Sequence, residues 1–392
     1  MIGTAFLVIG LLLAGYATVG YPALLWLEAR VFGRRWSWKA DPHHGLPSVS
    51  VTVPAHNEVH QIEELLQCLT ALEYPRDRLQ ILIVSDGSTD GTDEIVEGWA
   101  GRGVELLRVD ERGGKGAAEN AARDHLTGAV VVNTDASIRI RPDALKLLVA
   151  PFADPEVGVV SGRDVSVPVG GSVANVGEGG YVGFEMWVRD LETKTGGIVG
   201  ASGSLYATRR ELHQVFVPPN LSRDFASVLI ARERGFRAVS APNAICVVPR
   251  TGSLPAEYRR KVRTIARGMT TLATWRHLLH PLKYPAFAWR LLSHKVLRWG
   301  TPLYLILVAL GVAILALDHG WARWALGGLF LLVGMASVGW AVSLGRAGLP
   351  RILAVPAFFA MSNVAIVRAA LRAGFGGSER LWEPTRRVEA IR

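Results

Sequence analysis

The chain opens with a long run of apolar residues. Residues Ile2 to Leu27 carry no charge, and about 20 apolar residues suffice for a helix to cross a bilayer. This pattern predicts an N-terminal transmembrane helix over residues 1–28. A cleaved signal peptide is the alternative, but its basic residues would precede the apolar stretch. Here the basic residues follow it, which places the next part of the chain in the cytoplasm; they are Arg30, Arg34, Arg35 and Lys39.

A second apolar region begins after Arg298. Trp299–Leu317 and Trp321–Leu344 each predict a membrane span, and the short link between them predicts a tight hairpin. The preceding segment, 281–298, mixes Trp and Leu with Arg, His and Lys, which is typical of an interfacial helix lying along the membrane. A solvated amphipathic helix that packs on a soluble domain is the alternative.

The last apolar stretch, Ile352 to Val367, is short and contains Pro356 and Asn363. A full crossing there would put the arginine-rich tail, 372–392, outside the cell, against the positive-inside rule. A re-entrant or interfacial segment would instead keep the tail inside. The sequence leaves both alternatives open, and we slightly favour the cytoplasmic tail. The sequence thus predicts a C-terminal membrane region over residues 299–371 and a cytoplasmic tail.

Between residues 47 and 279 short β-rich runs alternate with amphipathic helical runs. The predicted strands are 49–53, 79–85, 104–109, 130–134 and 157–161, and the predicted helices are 58–72, 90–99, 117–126 and 143–149. Nearly continuous Val and Ile in the strands indicate a sheet that is buried on both faces. The pattern predicts an α/β, Rossmann-like domain with a mainly parallel sheet.

Polar residues follow three of these strands, at positions 54–58, 86–92 and 135–137. Ligands of parallel sheets bind beyond the carboxyl ends of the strands, so the three clusters predict one shared crevice. Helix capping by Asn57 and by Ser88 or Thr89 is the alternative. Capping does not explain Asp86 at one strand end together with Asp135 at another.

A glycine-rich stretch, Gly113 to Gly116, precedes a predicted helix and contains Lys115. It lacks the spacing of a nucleotide-binding P-loop. Lys115 at a helix N-terminus suits a diphosphate as a point charge, and a solvated turn lysine is the alternative.

Composition narrows the class of protein. Mean hydropathy is +0.24 and charged residues make up 20% of the chain, which excludes a disordered protein. Two cysteines, Cys68 and Cys246, cannot build a disulfide framework or a zinc ribbon. Lys and Arg number 43 against 34 Asp and Glu. This excess lies beside the membrane segments and not in a nucleic-acid-binding motif, so no nucleic-acid partner is expected.

The turns after the first two strands resemble those of membrane-bound family 2 glycosyltransferases. Pro54-Ala55-His56-Asn57-Glu58 is similar to the family's PAxNE start, and residues 85–92 read SDGSTDGT, close to its DGSTDGT turn. The resemblance runs from about Ser48 to Gly268. It implies a cytosolic glycosyltransferase A domain that uses a nucleotide sugar, and nucleotide-binding roles for Pro54, His56, Glu58, Asp86, Lys115 and Asp135, with Asn120 near the nucleotide.

The same resemblance implies a metal site. Thr134-Asp135-Ala136-Ser137 stands where the family has two aspartates that help Mg or Mn neutralise the diphosphate leaving group. Here Ser137 replaces the second acid, so metal binding would depend on Asp135 and the diphosphate.

On the acceptor side, residues 200–207 resemble the family's GxxGxxYA segment, which implies that Gly203 and Ser204 lie near the acceptor. A tight β-turn is the alternative. Asp224 matches the second acid of the family's acidic pair, the general base, and Arg223 replaces the first.

Arg260, Arg263 and Arg267 are spaced to share one helix face. They would bind the diphosphate or the acceptor, or alternatively rest on anionic lipid. The Gln and Trp of the family's processive QxxRW motif are absent from this stretch, so processivity is not predicted.

Together these features predict an inverting hexosyltransferase of the inner (plasma) membrane, multi-pass, with a cytoplasmic catalytic domain. It would move a sugar from a nucleotide-diphosphate sugar, expected to be a UDP-sugar, to a polysaccharide or lipid acceptor, in contact with membrane lipids. The alternative is a catalytically impaired, membrane-anchored regulator that binds nucleotide sugar, which Arg223 and Ser137 favour.

Overall fold

The computed structural model describes residues 1–33, 45–167, 173–249, 254–344 and 350–375. Its strands are β1 (Val49–Ala55), β2 (Leu79–Asp86), β3 (Val104–Val109), β4 (Val130–Thr134), β5 (Arg139–Ile140), β6 (Val157–Val167), β7 (Leu205–Arg209) and β8 (Arg237–Pro249). Its helices are α1 (Ile2–Gly15), α2 (Tyr21–Val31), α3 (Ile62–Thr70), α4 (Thr92–Glu97), α5 (Lys115–Ala121), α6 (Ala144–Val149), α7 (Val173–Thr195), α8 (Arg210–His213), α9 (Arg223–Glu233), α10 (Leu254–Thr274), α11 (Pro285–Leu291), α12 (Thr301–Leu315), α13 (Gly320–Leu344) and α14 (Arg351–Gly374). The basic residues Arg34, Arg35 and Lys39 and the tail beyond residue 375 lie outside the described residues.

The eight strands form one mixed sheet in the order β3-β2-β1-β4-β7-β6-β8-β5. Strands β1 to β4 pair in parallel, with Val51 opposite Ile81 on one side and Val132 on the other. This parallel core confirms the predicted α/β class. β7 runs antiparallel between β4 and β6, so the second half of the sheet is mixed.

Burial explains why the central strands are so apolar. All seven residues of β1 are buried, because helices cover both faces of the sheet. One core includes Val51, Leu65 and Leu148, and a smaller core on α5 includes Val84 and Ala118. A strand covered on both sides has no solvent face and needs no polar alternation.

All four predicted helices begin at other residues in the structure, by one residue for α6 and by two for α4. The helix expected from residue 58 begins at Ile62, because Asn57 has a left-handed backbone with φ of 53° and residues 58–61 form a turn. The helix expected from residue 117 begins two residues earlier, at Lys115, directly after the glycine turn.

Three helical segments of the described chain are long and apolar enough to cross a membrane: Ile2–Val31, Gly320–Ser343 and Ile352–Gly374. The first is continuous because a five-residue π-helical segment, Tyr16–Gly20, joins α1 to α2. α1 packs closely on α12, since a Cβ at Gly311 would lie 2.5 Å from the backbone nitrogen of Leu7. That approach is open only to glycine.

The predicted interfacial segment and the predicted span after it form a bent pair. Residues Pro285–Leu297 are helical and meet Thr301–Leu315 at an angle of 60°. α12 therefore has only 15 residues, fewer than the 299–317 span that the sequence pattern predicts.

α14 is longer than the apolar stretch that predicts it. It has 24 residues and continues through Arg368 and Arg372, with Pro356 inside the helix. Its length and composition suffice for a crossing, so shortness is not a reason to expect a re-entrant segment. The cytoplasmic position of the tail stays a prediction.

Candidate active site

A cavity of about 400 Å³ opens beyond the carboxyl ends of β1 and β4. Most of the residues singled out from the sequence line it: Glu58, Lys115, Asp135, Gly203, Ser204, Asp224, Arg260, Arg263 and Arg267. Pro54, His56 and Asp86 are not among the described residues that form its wall. The topology thus brings together residues from six separate parts of the chain.

The turns after β1 and β2 are joined by hydrogen bonds. The Asn57 amide nitrogen donates to Ser88 Oγ at 3.2 Å, and the Thr89 amide donates to Asn57 Oδ1 at 2.9 Å. The Glu58 amide donates to Thr92 Oγ1 at 2.9 Å. These polar side chains therefore bridge two turns. Neither α3 nor α4 has a side-chain cap, so the alternative that Asn57 and Ser88 or Thr89 act as helix caps is wrong.

Asp90 strengthens the same junction. Its carboxylate accepts the Val59 amide at 3.1 Å and the Thr92 hydroxyl at 2.5 Å. Burial alone would raise its pKa, but the bonds from Thr92 and Val59 outweigh that effect and lower the pKa of Asp90. The turn is therefore held by a carboxylate that stays ionised.

Asp86 lies behind the cavity and supports its floor. The side chain is buried, with 2% exposed, and its two oxygens accept the amides of Gly113 at 2.8 Å and Gly114 at 2.7 Å. Its backbone carbonyl lies 2.7 Å from Nδ1 of His56. Both residues thus position the glycine turn that leads into Lys115, and their nucleotide contacts stay predictions.

Lys115 and Asp135 face each other in the wall of the cavity. Lys115 Nζ donates to Asp135 Oδ1 at 2.5 Å and lies 4.0 Å from Glu119 Oε1. Burial would lower the pKa of Lys115, but Asp135 and Glu119 outweigh it and raise that pKa above its usual value. Lys115 is therefore a fixed cation and not the solvated turn lysine of the alternative interpretation.

Glu119 is a site residue that the motif analysis missed. It is buried in the cavity wall and lies between Lys115 and Arg223, whose Nε is 3.5 Å from Glu119 Oε2. Arg223 also donates to the carbonyl of His213 at 3.2 Å and to Asn120 Oδ1. The residue that replaces the family's first acid thus pairs with an acid from α5. The chain spacing of 104 residues hides this pairing from motif comparison.

Asp224 stands at the start of α9, at the centre of the cavity. Its Oδ1 accepts the Ser222 hydroxyl at 2.8 Å. Its Oδ2 lies beside Gly203, where an added Cβ would be 3.2 Å away. Only a residue without a side chain leaves this oxygen open to a ligand. The segment around Gly203 is an irregular loop leading into β7.

The three arginines of α10 lie on the cavity side of that helix. Arg260 forms an ion pair with Glu257 at 2.6 Å, and Arg267 donates to the Pro219 carbonyl at 2.5 Å. On its other side α10 packs against α14. The arginine face is thus directed to the cavity and not to lipid.

A metal ion would have few protein ligands here. Among the described residues no group of three His, Cys, Asp or Glu side chains forms a metal-binding cluster. Asp135 and Ser137 both line the cavity. One carboxylate together with the phosphates of a bound substrate is nevertheless a common donor set for Mg²⁺, so these residues fit an ion that the donor nucleotide brings along.

The comparisons with known proteins agree with this geometry. Residues 50–215 match the family model described as Glycosyl transferase family 2. The chain is 33% identical to Glycosyltransferase AglE of Haloferax volcanii over 132 residues, 33% of this chain and 43% of that protein. It is 29% identical to Beta-monoglucosyldiacylglycerol synthase of Nostoc sp. over 186 residues, 46% of this chain and 40% of that protein.

One solved structure is similar over nearly the whole chain. It is the mannosyltransferase PcManGT from Pyrobaculum calidifontis, in complex with GDP-Man and Mn²⁺. The TM-score is 0.70 and the identity 26%, covering 95% of this chain and 99% of that chain.

The fold is therefore similar to that of glycosyltransferase A structures. Residues 50–215 match the family 2 glycosyltransferase model, and the strand, helices and candidate membrane spans described above follow them. The aligned parts span less than half the length of the two curated relatives, 43% and 40%.

Proposed function

We propose that the protein is an inverting glycosyltransferase that moves a sugar from a nucleoside diphosphate sugar to an acceptor at the cytoplasmic face of a membrane. The observation that carries the proposal is one cavity in which Asp224 lies beside Gly203, while Lys115, paired with Asp135, lies 3.5 Å from the carbonyl oxygen of the same Gly203. A cation for the leaving group and a base for the acceptor are the two functions that such a transfer needs.

In the proposed reaction the donor diphosphate lies near Lys115 and the arginines of α10. The acceptor oxygen attacks the anomeric carbon as the bond from that carbon to the diphosphate oxygen breaks. Asp224 takes the acceptor proton through Oδ2, and Ser222 holds the other oxygen in place. The negative charge that develops on the nucleoside diphosphate is stabilised by Lys115 and by Arg260, Arg263 and Arg267.

A divalent cation, Mg²⁺ or Mn²⁺, is part of the proposal. Asp135 would hold it together with the diphosphate, and when bound it would supply Lewis-acid stabilisation of the leaving group. Mn²⁺ in the PcManGT structure supports this choice. The ion pair between Lys115 and Asp135 would then rearrange, which leaves Lys115 free for the phosphates.

Two nucleobases, uracil and guanine, are candidates for the sugar donor. The sequence resemblance favours a UDP-sugar, whereas the similar PcManGT structure contains GDP-Man. The acceptor is a lipid or a growing polysaccharide, and the named relative that makes a glucosyldiacylglycerol supports the lipid. Candidate spans on both sides of the domain support a multi-pass protein of the plasma membrane. The proposed division keeps the predicted boundaries: 1–28, 47–279, 281–298, 299–371 and 372–392.

The test uses the full-length protein in detergent with native membrane lipids. UDP-glucose, UDP-galactose, UDP-N-acetylglucosamine and GDP-mannose, each labelled in the sugar, are supplied one at a time with Mg²⁺ or Mn²⁺. We expect one donor to release its nucleoside diphosphate and to label a product that partitions into organic solvent or stays in a gel. Donor binding without consumption would instead support the regulator that Arg223 and Ser137 favour.

A further inference from the structure

Two further cations, Arg189 and Lys295, line the same cavity as Asp224. Arg189 comes from α7, and Lys295 comes from the π-helical segment Leu292–Leu297 that precedes α12. Neither residue belongs to a motif of the resemblance, and neither has a part in the proposed transfer. Their surroundings indicate what this part of the cavity binds.

Arg189 is poorly satisfied for a buried cation. Arg189 is only 7% exposed. Its hydrogen bonds to Ser161 Oγ and to the Ala201 carbonyl are long, 3.4 Å and 3.5 Å. Its Nε has no hydrogen-bond partner within the described part of the chain. Burying a guanidinium without strong partners is unfavourable, so this group favours an added anion.

Lys295 lies beside Gly200, in the loop that leads into β7. Its Nζ is 3.2 Å from the point where a Cβ on Gly200 would stand, and 5.7 Å from the centre of the Phe225 ring. No carboxylate of the described ranges lies within 4.0 Å of this ammonium group. Burial disfavours the charge on Lys295, the nearby Glu185 favours it, and Arg189 disfavours it. An anion beside both Arg189 and Lys295 would be attracted by each of them.

The neighbouring carboxylates already have partners. Glu185 binds Arg298 at 2.7 Å and His294 Nε2 at 2.5 Å. Glu192 binds the other His294 nitrogen at 2.7 Å and the Tyr21 hydroxyl at 2.5 Å. Burial would raise the pKa of Glu185, but Arg298 and His294 outweigh it and lower that pKa well below its usual value.

Asp164, another acid near the loop, accepts hydroxyls from Ser202 at 2.7 Å and Ser204 at 3.2 Å. Among the described residues, Glu185, Glu192 and Asp164 thus have closer partners than Arg189 and Lys295.

The wall beside these cations is apolar and faces the membrane region. It is formed by Tyr181, Val182 and Met186 of α7 and by Trp299, which stands two residues before the start of α12. Tyr181 is 42% exposed, so the wall continues to the surface. A cationic floor with an apolar wall matches a molecule that has an anionic head and a hydrocarbon tail.

We propose that Arg189 and Lys295 form a subsite for the phosphate-type headgroup of a lipid acceptor, whose chain leaves along the Tyr181–Trp299 wall. This rests on the proposed function and specifies its acceptor. Gly200 at the subsite and Gly203 beside Asp224 are three residues apart, a span of at most about 11 Å. The reacting oxygen would be a hydroxyl of the same headgroup, which extends from the anchored phosphate to Asp224 and gives its proton to that carboxylate.

Binding of simple probes to the full-length protein in detergent tests the proposal. n-Decyl phosphate, n-decanol and inorganic phosphate are titrated into protein that carries bound nucleoside diphosphate. We expect decyl phosphate to bind at least tenfold more tightly than decanol or inorganic phosphate. Lys295→Gln and Arg189→Gln should each weaken decyl phosphate about tenfold or more, because each removes one charge-assisted bond.

Two matched variants make the outcome specific. Lys283→Gln removes an exposed cation of the same membrane-proximal region that does not line the cavity, and it should bind decyl phosphate like the parent. Lys295→Arg keeps the charge and should retain affinity within about threefold. If Lys295→Gln fails to fold, the comparison of decyl phosphate with decanol on the parent protein still decides.

Equal affinity for decyl phosphate and decanol would overturn the proposal, as would unchanged affinity in Lys295→Gln and Arg189→Gln. Inorganic phosphate binding as tightly as decyl phosphate would refute the lipid and leave a site for free phosphate. A parent protein that binds no nucleoside diphosphate would be a failure of the proposed function instead, and this readout is separate.

Discussion

Replacing Asp224 by Asn is the sharpest test of the proposed chemistry. In the structure Ser222 donates to Asp224 Oδ1 at 2.8 Å, and an Asn oxygen can accept the same bond. The group beside Gly203 would then be an amide NH₂, which donates and cannot take a proton. The substitution therefore removes the base while it preserves the size and one hydrogen bond of the side chain.

A positioned base contributes about 10² to 10⁴ in rate, which corresponds to about 2.7 to 5.4 kcal/mol of the barrier. We expect kcat/KM for nucleoside diphosphate release with acceptor membranes to fall at least 100-fold by this estimate. Nucleotide binding should barely change, because the substitution leaves the ion pair of Lys115 with Asp135 and the glycine turn held by Asp86 in place. Ser222→Ala removes only the orienting bond and should cost less, about tenfold.

Asp164→Asn is the matched control, since Asp164 is another carboxylate of the same cavity whose oxygens accept Ser202 and Ser204. It should cost less than Asp224→Asn. Transfer by Asp224→Asn at the parent rate, or a larger loss in Asp164→Asn, would refute the assignment of the base. Glu185 would be a poor general base in place of Asp224, because its carboxylate is paired with Arg298 and His294. The side chain of Glu178, the other candidate, lies outside the described residues.

Four further outcomes follow from the geometry. Asp86→Ala removes the acceptor of two glycine-turn amides and should weaken nucleotide binding about tenfold or more in calorimetry; unchanged affinity would contradict it. Chelation should abolish turnover, and Ser137→Asp should tighten Mn²⁺ binding about tenfold, whereas full activity in excess chelator would show that no metal is needed. Arg223→Ala should destabilise the fold by up to about 3 to 5 kcal/mol because it leaves the buried Glu119 with only Lys115, at 4.0 Å, as a charged partner, and the double variant with Glu119→Gln should recover most of that in thermal unfolding; additive losses would mean that the pair is not coupled. A cysteine at Ser378 should resist external labelling if the basic tail is cytoplasmic, and labelling would show that α14 crosses.

The sequence alone determined the parts of this protein that depend on local pattern. Continuous Val and Ile runs separated by polar turns predicted the parallel core, because a strand covered on both faces cannot afford polar alternation. Long uncharged runs predicted the apolar helices for the same kind of reason, since the bilayer excludes unpaired polar groups. Asp135 was located by its place after a strand and Lys115 by the glycine-rich stretch before a helix, whereas Asp224 was found by resemblance. The chain topology brings all three to one cavity.

Only the tertiary structure decided which polar groups face the ligand and which hold the walls. Asp86 has the same motif position as a ligand-binding residue, yet both its oxygens are taken by Gly113 and Gly114. Glu119 pairs with Arg223, although more than a hundred residues of chain separate them. Lys295 lies beside Gly200, although its sequence segment predicts an interfacial helix. Such contacts form because separate helices and strands pack against each other. The local sequence around each residue does not show which distant residue it will meet.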